Sequence, residues 1–287
     1  MKMKKILILV AAAFSCLTLS ARTALVVVAH GSPSEEWNRN VLALESRLDA
    51  LNLPGIDYRR VALMEFTQPN IASVIRDCER ESIDTVFVLP LFISPSGHSE
   101  DDIPNILGLK YSPSVHAELA AEGAEFVRTQ MHIIVGPTLM DSGVIEKAML
   151  ERVCALSSDP KKEAVVFLAH GDADRIGFWK HILHNCETAA REAGFDYVDN
   201  ALIGMGQNFA QDVQPLLESA SASKERILVQ GIYLVSGVGS MARMFGMDRQ
   251  AAANNIAYGE KGILPESTED VLVWIEKSVS EWAAGRE

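Results

Sequence analysis

Three residues in the first half of this sequence carry side chains able to hold a divalent cation or to move a proton: His30, Glu65 and His98. Imidazole is a common ligand of Co, Ni, Fe and Zn, and a carboxylate beside two imidazoles makes a ligand set with open positions. A histidine also titrates near neutral pH, so either ring can accept a proton from a substrate. His30 closes the apolar part of the phrase ALVVVAHGS, Ala24 to Ser32, and His98 follows Ser96-Gly97 just past the run TVFVLPLFIS, Thr85 to Ser94. Each imidazole stands beside a glycine at the end of a run that reads as a strand buried on both faces. If the two strands are neighbours, both rings enter one crevice at the carboxyl edge of the sheet, where open α/β sheets place ligands. The competing reading, a hydrogen-bonded structural histidine, suits a single strand end better than two matched ones.

The first phrase recurs as AVVFLAHGD, Ala164 to Asp172, which puts His170 where His30 stands. RILVQGIYLV, Arg226 to Val235, repeats the second run and is followed by Ser236-Gly237-Val238 in place of Ser96-Gly97-His98. VALME, Val61 to Glu65, aligns with LIGMG, Leu202 to Gly206, and sets Gly206 opposite Glu65. The sequence thus contains two related halves, and only the first keeps the full set of candidate ligands. A functional centre dominated by the first half is expected.

Helices must hold these strand ends in place. Trp37, Val41, Leu42, Leu44 and Leu48 recur at helical spacing over Ser34 to Leu53, behind a Ser-Pro-Ser start, and Asn70 to Arg80 forms a second pattern. Phe178 to Ala193 and Gln211 to Ser219 repeat the scheme, Glu269 to Trp282 closes the chain, and His132 to Val135 reads as one more short strand. Strands alternating with helices predict an α/β fold of two similar lobes, each a mostly parallel sheet covered by helices. The polar stretch SSDPKK, Ser157 to Lys162, divides them into lobes over 22–157 and 163–287.

At the N-terminus, Met1 to Lys5 is basic, Ile6 to Leu19 is mostly apolar, and Leu19-Ser20-Ala21 offers small residues. This is the order of a secretory signal peptide over 1–21, and it predicts an exported, periplasmic protein. An uncleaved anchor is disfavoured by the shortness of the apolar stretch, and lipidation of Cys16 by its Ala13-Phe14-Ser15 context. With 48% hydrophobic and 22% charged residues the chain has an ordinary globular balance, and a net charge of −12 argues against nucleic acid as a partner. Cys78, Cys154 and Cys186 show neither a disulfide framework nor a metal-binding spacing, and which pair would oxidise is left open.

Other strings are weaker. Gly97-His98-Ser99-Glu100-Asp101 starts like a hydrolase nucleophile elbow but has Asp101 where the sharp turn needs a small residue. Gly237-x-Gly239-x-x-Ala242 starts like a dinucleotide fingerprint but follows the last strand run of its half. Ser99 with Glu100, Asp101 and Asp102 reads more simply as a helix N-terminus. His116 and His132 have no strand-end setting, and His181 with His184 would at most hold a metal on a helix surface.

Three longer strings stand together: AHGSP at Ala29 to Pro33, LMEFTQP at Leu63 to Pro69, and LPLFISPSGHSEDDIP at Leu89 to Pro104. At these residues the chain resembles the sirohydrochlorin cobaltochelatases and ferrochelatases of the class II chelatase superfamily, most clearly over 24–105. The resemblance implies a two-lobed α/β fold with a tetrapyrrole such as sirohydrochlorin in the cleft between lobes. It implies ATP-independent insertion of a divalent metal, Co²⁺ ahead of Fe²⁺ or Ni²⁺, in cobalamin or sirohaem metabolism. On this reading His30 and His98 are the metal-binding and proton-accepting histidines and Glu65 their acidic helper, with His170, Ser32 and Gly97 as candidate contacts to the ring. A carboxylate-rich ring calls for local cations, for which Arg243 and Arg249 are candidates by position. Glu100 to Asp102 could draw the metal to the cleft mouth, though a solvated helix start is favoured. The alternative function is a non-catalytic periplasmic carrier of a metal or haem-like tetrapyrrole. Association into a homo-oligomer is left open.

Overall fold

The computed structural model describes residues 21–65, 67–204, 209–251 and 255–285. The expected leader, apart from its last residue, lies outside the described residues, as do Phe66 and Gly206.

Each half forms a four-stranded parallel sheet, and the strand order is the same in both. In the first, β1 (Thr23–Ala29) lies between β2 (Tyr58–Leu63) and β3 (Thr85–Pro90), with β4 (His132–Val135) outside β3. In the second, β5 (Glu163–Ala169) lies between β6 (Tyr197–Leu202) and β7 (Arg226–Ile232), with β8 (Ile256–Tyr258) at the edge. The register pairs Ala29 with Leu63 and Val28 with Pro90, so β1, β2 and β3 stop almost level. The chain segments bearing His30, Glu65 and His98 therefore leave the sheet along one edge.

Five helices fill the space between the sheets: α1 (Glu35–Leu42), α2 (Leu44–Ala50), α6 (Val144–Leu156), α7 (Ile176–Glu192) and α10 (Thr268–Ala284). Outside the first sheet lie α3 (Ile71–Arg80), α4 (Ile103–Ile106) and α5 (Pro113–Ala121); outside the second lie α8 (Phe209–Ser221) and α9 (Val238–Met244). Alternate strand residues serve the two faces. Leu25, Val27 and Ala29 of β1 join Val165, Phe167 and Ala169 of β5 in one continuous inner core. Their neighbours Ala24, Val26 and Val28, or Ala164, Val166 and Leu168, pack under the outer helices.

The last helix of each half crosses to the other. From α6, which packs on α7 and β7, Arg152 donates to the Gly262 carbonyl at 3.2 Å and to the Ser267 hydroxyl at 2.8 Å. From α10, which packs on α2, Trp282 stacks on Phe87 of β3 with ring centroids 4.8 Å apart, a contact worth about 0.5–1.5 kcal/mol beyond its buried area.

Two expected elements differ in extent. The helix expected over Ser34 to Leu53 breaks into α1 and α2 at Ala43, whose carbonyl accepts a hydrogen bond from the Ser46 hydroxyl at 3.0 Å, a local bond that competes with the helix ladder. The run expected to be strand from Thr85 to Ser94 pairs only as far as Pro90. No described helix is long and apolar enough to cross a membrane.

Candidate metal centre

At the end of β1 the chain reaches His30, and Gly31 turns it away with φ +91°. Contact excludes a side chain there as strongly as conformation does, since a Cβ at 31 would stand 2.3 Å from the Glu65 carbonyl oxygen. The two loops are bound together: the Glu65 amide donates to the His30 carbonyl and the Met64 amide to the Ala29 carbonyl, each at 2.8 Å. His30 Nδ1 lies 2.8 Å from the Gly31 carbonyl oxygen and donates to it in the Nδ1–H tautomer. Nε2 then carries the lone pair and faces Glu65, whose Oε2 is 3.7 Å away. A lone pair opposite a carboxylate is stabilised by a proton or a cation between them.

His98 opens a π-helical turn, His98–Asp102, in which the Ile103 amide reaches back to the His98 carbonyl. Asp102 Oδ2 lies 2.6 Å from His98 Nδ1, fixing that nitrogen as the donor and directing Nε2 outward, as carboxylates behind metal-binding imidazoles do. The His30 and His98 rings stand 4.7 Å apart at 75°. One ligand atom from each of His30, Glu65 and His98 lies within 4.8 Å of the others, and this is the one such group among the described residues. Ligand atoms about 2.1 Å from a tetrahedral ion are about 3.5 Å apart, so the group closes by roughly an ångström to grip one. Burial pulls the His98 imidazole down, but the hydrogen bond and charge of Asp102, with Glu65 and Glu122 behind, outweigh it and the net shift is upward.

The acids of this turn stand at a helix start, as expected, with Glu100 exposed, and each is also paired. Arg175 of the second half brings Nε to 2.8 Å from Glu100 Oε2 and a terminal nitrogen to 2.9 Å from Asp101 Oδ2, while Lys110 pairs with Asp101. The Lys110 hydrogen bond, opposed by burial and joined by Arg175, holds the Asp101 carboxyl below its usual range. Ser99 does not cap the turn. It is buried, and its hydroxyl accepts from the Ser96 amide at 2.9 Å, which removes it as a nucleophile.

In the second half, His170 repeats the local geometry of His30: Nδ1 is 2.6 Å from the Gly171 carbonyl oxygen and Gly171 has φ +83°. His170 is exposed and does not enter the three-residue group, and the place of His98 holds the buried Val238. Ser32 ties its own loop to α1, its amide donating to Asn38 Oδ1 at 2.9 Å, and Gly97 precedes the π-helical turn. Arg243 forms a two-pronged pair with Glu260 at 2.5 and 2.8 Å, and Arg249 lies in the short turn after α9. Gly237 and Gly239 admit the Glu260 segment, since Cβ atoms there would stand 2.0 and 2.3 Å from it, so the fingerprint-like glycines serve packing. His181 faces Asp141 at 3.3 Å without joining a larger ligand group. Cys78, Cys154 and Cys186 are free thiols, and burial pushes Cys78 up to about 12.

Asp102 and Arg175 were not singled out from sequence as site residues. The first had a signal, four residues beyond a candidate histidine. The second had only its place in the loop after His170.

Residues 24–156 match the CbiX family. Over 86 residues, 30% of this chain and 58% of the relative, the sequence is 36% identical to the sirohydrochlorin cobaltochelatase of Methanococcus maripaludis. Over 87 residues, 30% of this chain and 59% of the relative, it is 31% identical to that of Methanocaldococcus jannaschii. The chain spans less than two thirds of the length of these curated relatives. SirB from Bacillus subtilis with Fe³⁺ superposes with a TM-score of 0.66 over 92% of this chain and 98% of that one, at 16% identity. The sirohydrochlorin chelatase SirB of Bacillus subtilis subspecies spizizenii in complex with cobalt gives 0.61 over 90% and 96%, at 14% identity. The fold is chelatase-like over both lobes, while the family match lies in the half that carries all three candidate ligands.

Proposed function

We propose that this protein is a sirohydrochlorin chelatase, inserting a divalent metal into the tetrapyrrole without ATP in sirohaem or cobalamin biosynthesis. The observation that carries this reading is the single His30, Glu65, His98 group at the sheet edge of the half that matches CbiX. Cobalt is the first choice of metal, from the names of the curated relatives, with iron next and Ni²⁺ after it. The ion is cargo, and a set of ligands spread over 4.8 Å suits an ion that must be released.

Insertion requires two pyrrole N–H protons to leave while the ion sheds its waters and the ring nitrogens take it up. The residues divide this work. His98 is the base, because Asp102 at Nδ1 stabilises the imidazolium formed when Nε2 accepts a ring proton. His30 and Glu65 face each other across a gap that a cation fills, so they hold the incoming ion. His170 lines the opposite lobe and orients the macrocycle. We also propose that residues 1–21 are a cleaved export signal, on the order of basic, apolar and small residues.

The test is anaerobic incubation of the mature protein with sirohydrochlorin and Co²⁺, Fe²⁺ or Ni²⁺, followed by absorbance. His30→Ala and His98→Ala should fall to the uncatalysed rate with folding intact, and His170→Ala should lose less. Full activity in His98→Ala rejects the site, and stoichiometric binding without turnover in the wild type makes the protein a carrier instead.

A further inference from the structure

Resting on the chelatase reading, we propose that Arg175 is the receptor for a carboxylate of the ring, and that Glu100 and Asp101 occupy it until the ring arrives. Arg175 stands in the loop that follows His170, on the edge of the second sheet, yet its guanidinium reaches across to the first half. There Nε and a terminal nitrogen meet two carboxylates at 2.8 and 2.9 Å, and Asp172 Oδ2 lies 3.7 Å away on its own side. Both acids that it meets sit in the turn between His98 and Asp102. The guanidinium therefore touches the turn carrying one candidate ligand and shares a loop with the opposing His170. A ligand held between the lobes, with its reacting nitrogens at His98, brings its edge past this point.

The chemistry of the side chain matches such a ligand. A guanidinium presents a planar fork of donors that fits a carboxylate in two-pronged fashion, and the Arg175 side chain is only 21% exposed, which limits screening by water. Its present partners are carboxylates in the positions that substrate carboxylates would take. Glu100 is free to leave, with 47% of its side chain exposed. The two-pronged pair of Arg243 with Glu260 differs here, because 52% of that arginine's side chain is exposed and both residues belong to the second half.

The exchange has a second effect. When the ring takes Arg175, Glu100 regains uncompensated negative charge two residues from His98 while Asp101 keeps Lys110, and the charge of Glu100 attracts a divalent cation. Ring binding and cation binding therefore assist each other, and by linkage the assistance is reciprocal. An acidic chain can thereby receive an acidic ring without discarding the charge that its metal needs.

A fixed latch between lobes would use the same ion pairs, and the two roles predict opposite signs. In a receptor the acids compete with the ring; in a latch they support the site. The experiment is an anaerobic titration of the full mature protein, metal-free, with sirohydrochlorin, read by quenching of tryptophan fluorescence. Arg175→Gln should weaken binding about tenfold, the loss of a charge-assisted pair, while Glu100→Gln should tighten it about threefold. Glu100 is the cleaner probe because Asp101 also holds Lys110. The double variant should match Arg175→Gln alone, since the acid has no effect once its arginine is gone. Arg175→Lys, which keeps the charge and loses the fork, should fall between and serves if Arg175→Gln does not fold. Weaker binding in both single variants, or no change in either, overturns the receptor. A wild-type protein that does not bind sirohydrochlorin overturns the chelatase reading and the receptor with it, whereas wild-type binding with both variants moving the same way overturns the receptor alone.

Discussion

Replacing Gly31 by alanine perturbs the contact that joins the His30 and Glu65 loops. Two costs follow from the structure. An L-residue at φ +91° is strained by about 1–2 kcal/mol, and a Cβ 2.3 Å from the Glu65 carbonyl oxygen lies roughly 1 Å inside contact, an overpacking cost on the order of 2 kcal/mol. Gly171 supplies an internal control. Its φ of +83° carries the same strain, but a Cβ there meets Leu202 Cβ at 3.0 Å and its methyls at 3.3 and 3.4 Å, an overlap that a shift of a few tenths of an ångström relieves. Gly31→Ala should therefore lose about 3–4 kcal/mol in urea unfolding and Gly171→Ala about 1–2. The backbone relieves the first clash by moving Glu65 away from His30, so Co²⁺ binding by calorimetry should weaken roughly 10–100-fold in Gly31→Ala, the range for lost support of a metal ligand. Equal destabilisation of the two variants, or unchanged Co²⁺ affinity in Gly31→Ala, would refute the account of the loops.

Asp102→Asn removes the charge that favours the His98 imidazolium, so the folded pKa of His98 should fall and Co²⁺ affinity should drop about tenfold. In the native protein that pKa is raised, so the stability contributed by the protonated ring is present below the ordinary histidine value of about 6.5 and is lost as pH rises through the folded value. Co²⁺ competes with the same proton, and its binding should weaken as pH falls through that folded value. In Asp102→Asn this acid limb should move to lower pH, as read by Co²⁺ titrations and by NMR of the ring protons, and an unmoved limb contradicts the assignment. For export, mass spectrometry of the protein recovered from the periplasm should find it beginning near residue 22, and a retained Met1 counts against cleavage.

Much of the first sheet and its site could be read from residue order. Runs such as Val26 to Ala29 and Phe87 to Leu89 are apolar at every position, which is the mark of strands covered on both sides, and a glycine after the imidazole marks where the strand must end. Asp102 reads as part of a helix start, and its spacing of four from His98 becomes a contact because the turn between them is helical. Arg175 was invisible for a different reason. Its partners Glu100 and Asp101 are far away along the chain, and no local pattern records a contact made between the two halves. The crossing of α6 and α10 was hidden likewise, because an amphipathic face shows that a helix is covered and not by which half.

That crossing imposes an order in time on a chain made from its N-terminus. All four strands of the first sheet exist once residue 135 has been added, but the ring that lies over Phe87 belongs to Trp282, far down the chain. Meanwhile α6 waits for β7, nearly as long. The nascent first half thus carries an unfinished apolar surface until the second half has been made and α10 packs against it. A stop codon placed before Trp282 would strike the interior of the lobe encoded first, the one holding His30 and His98.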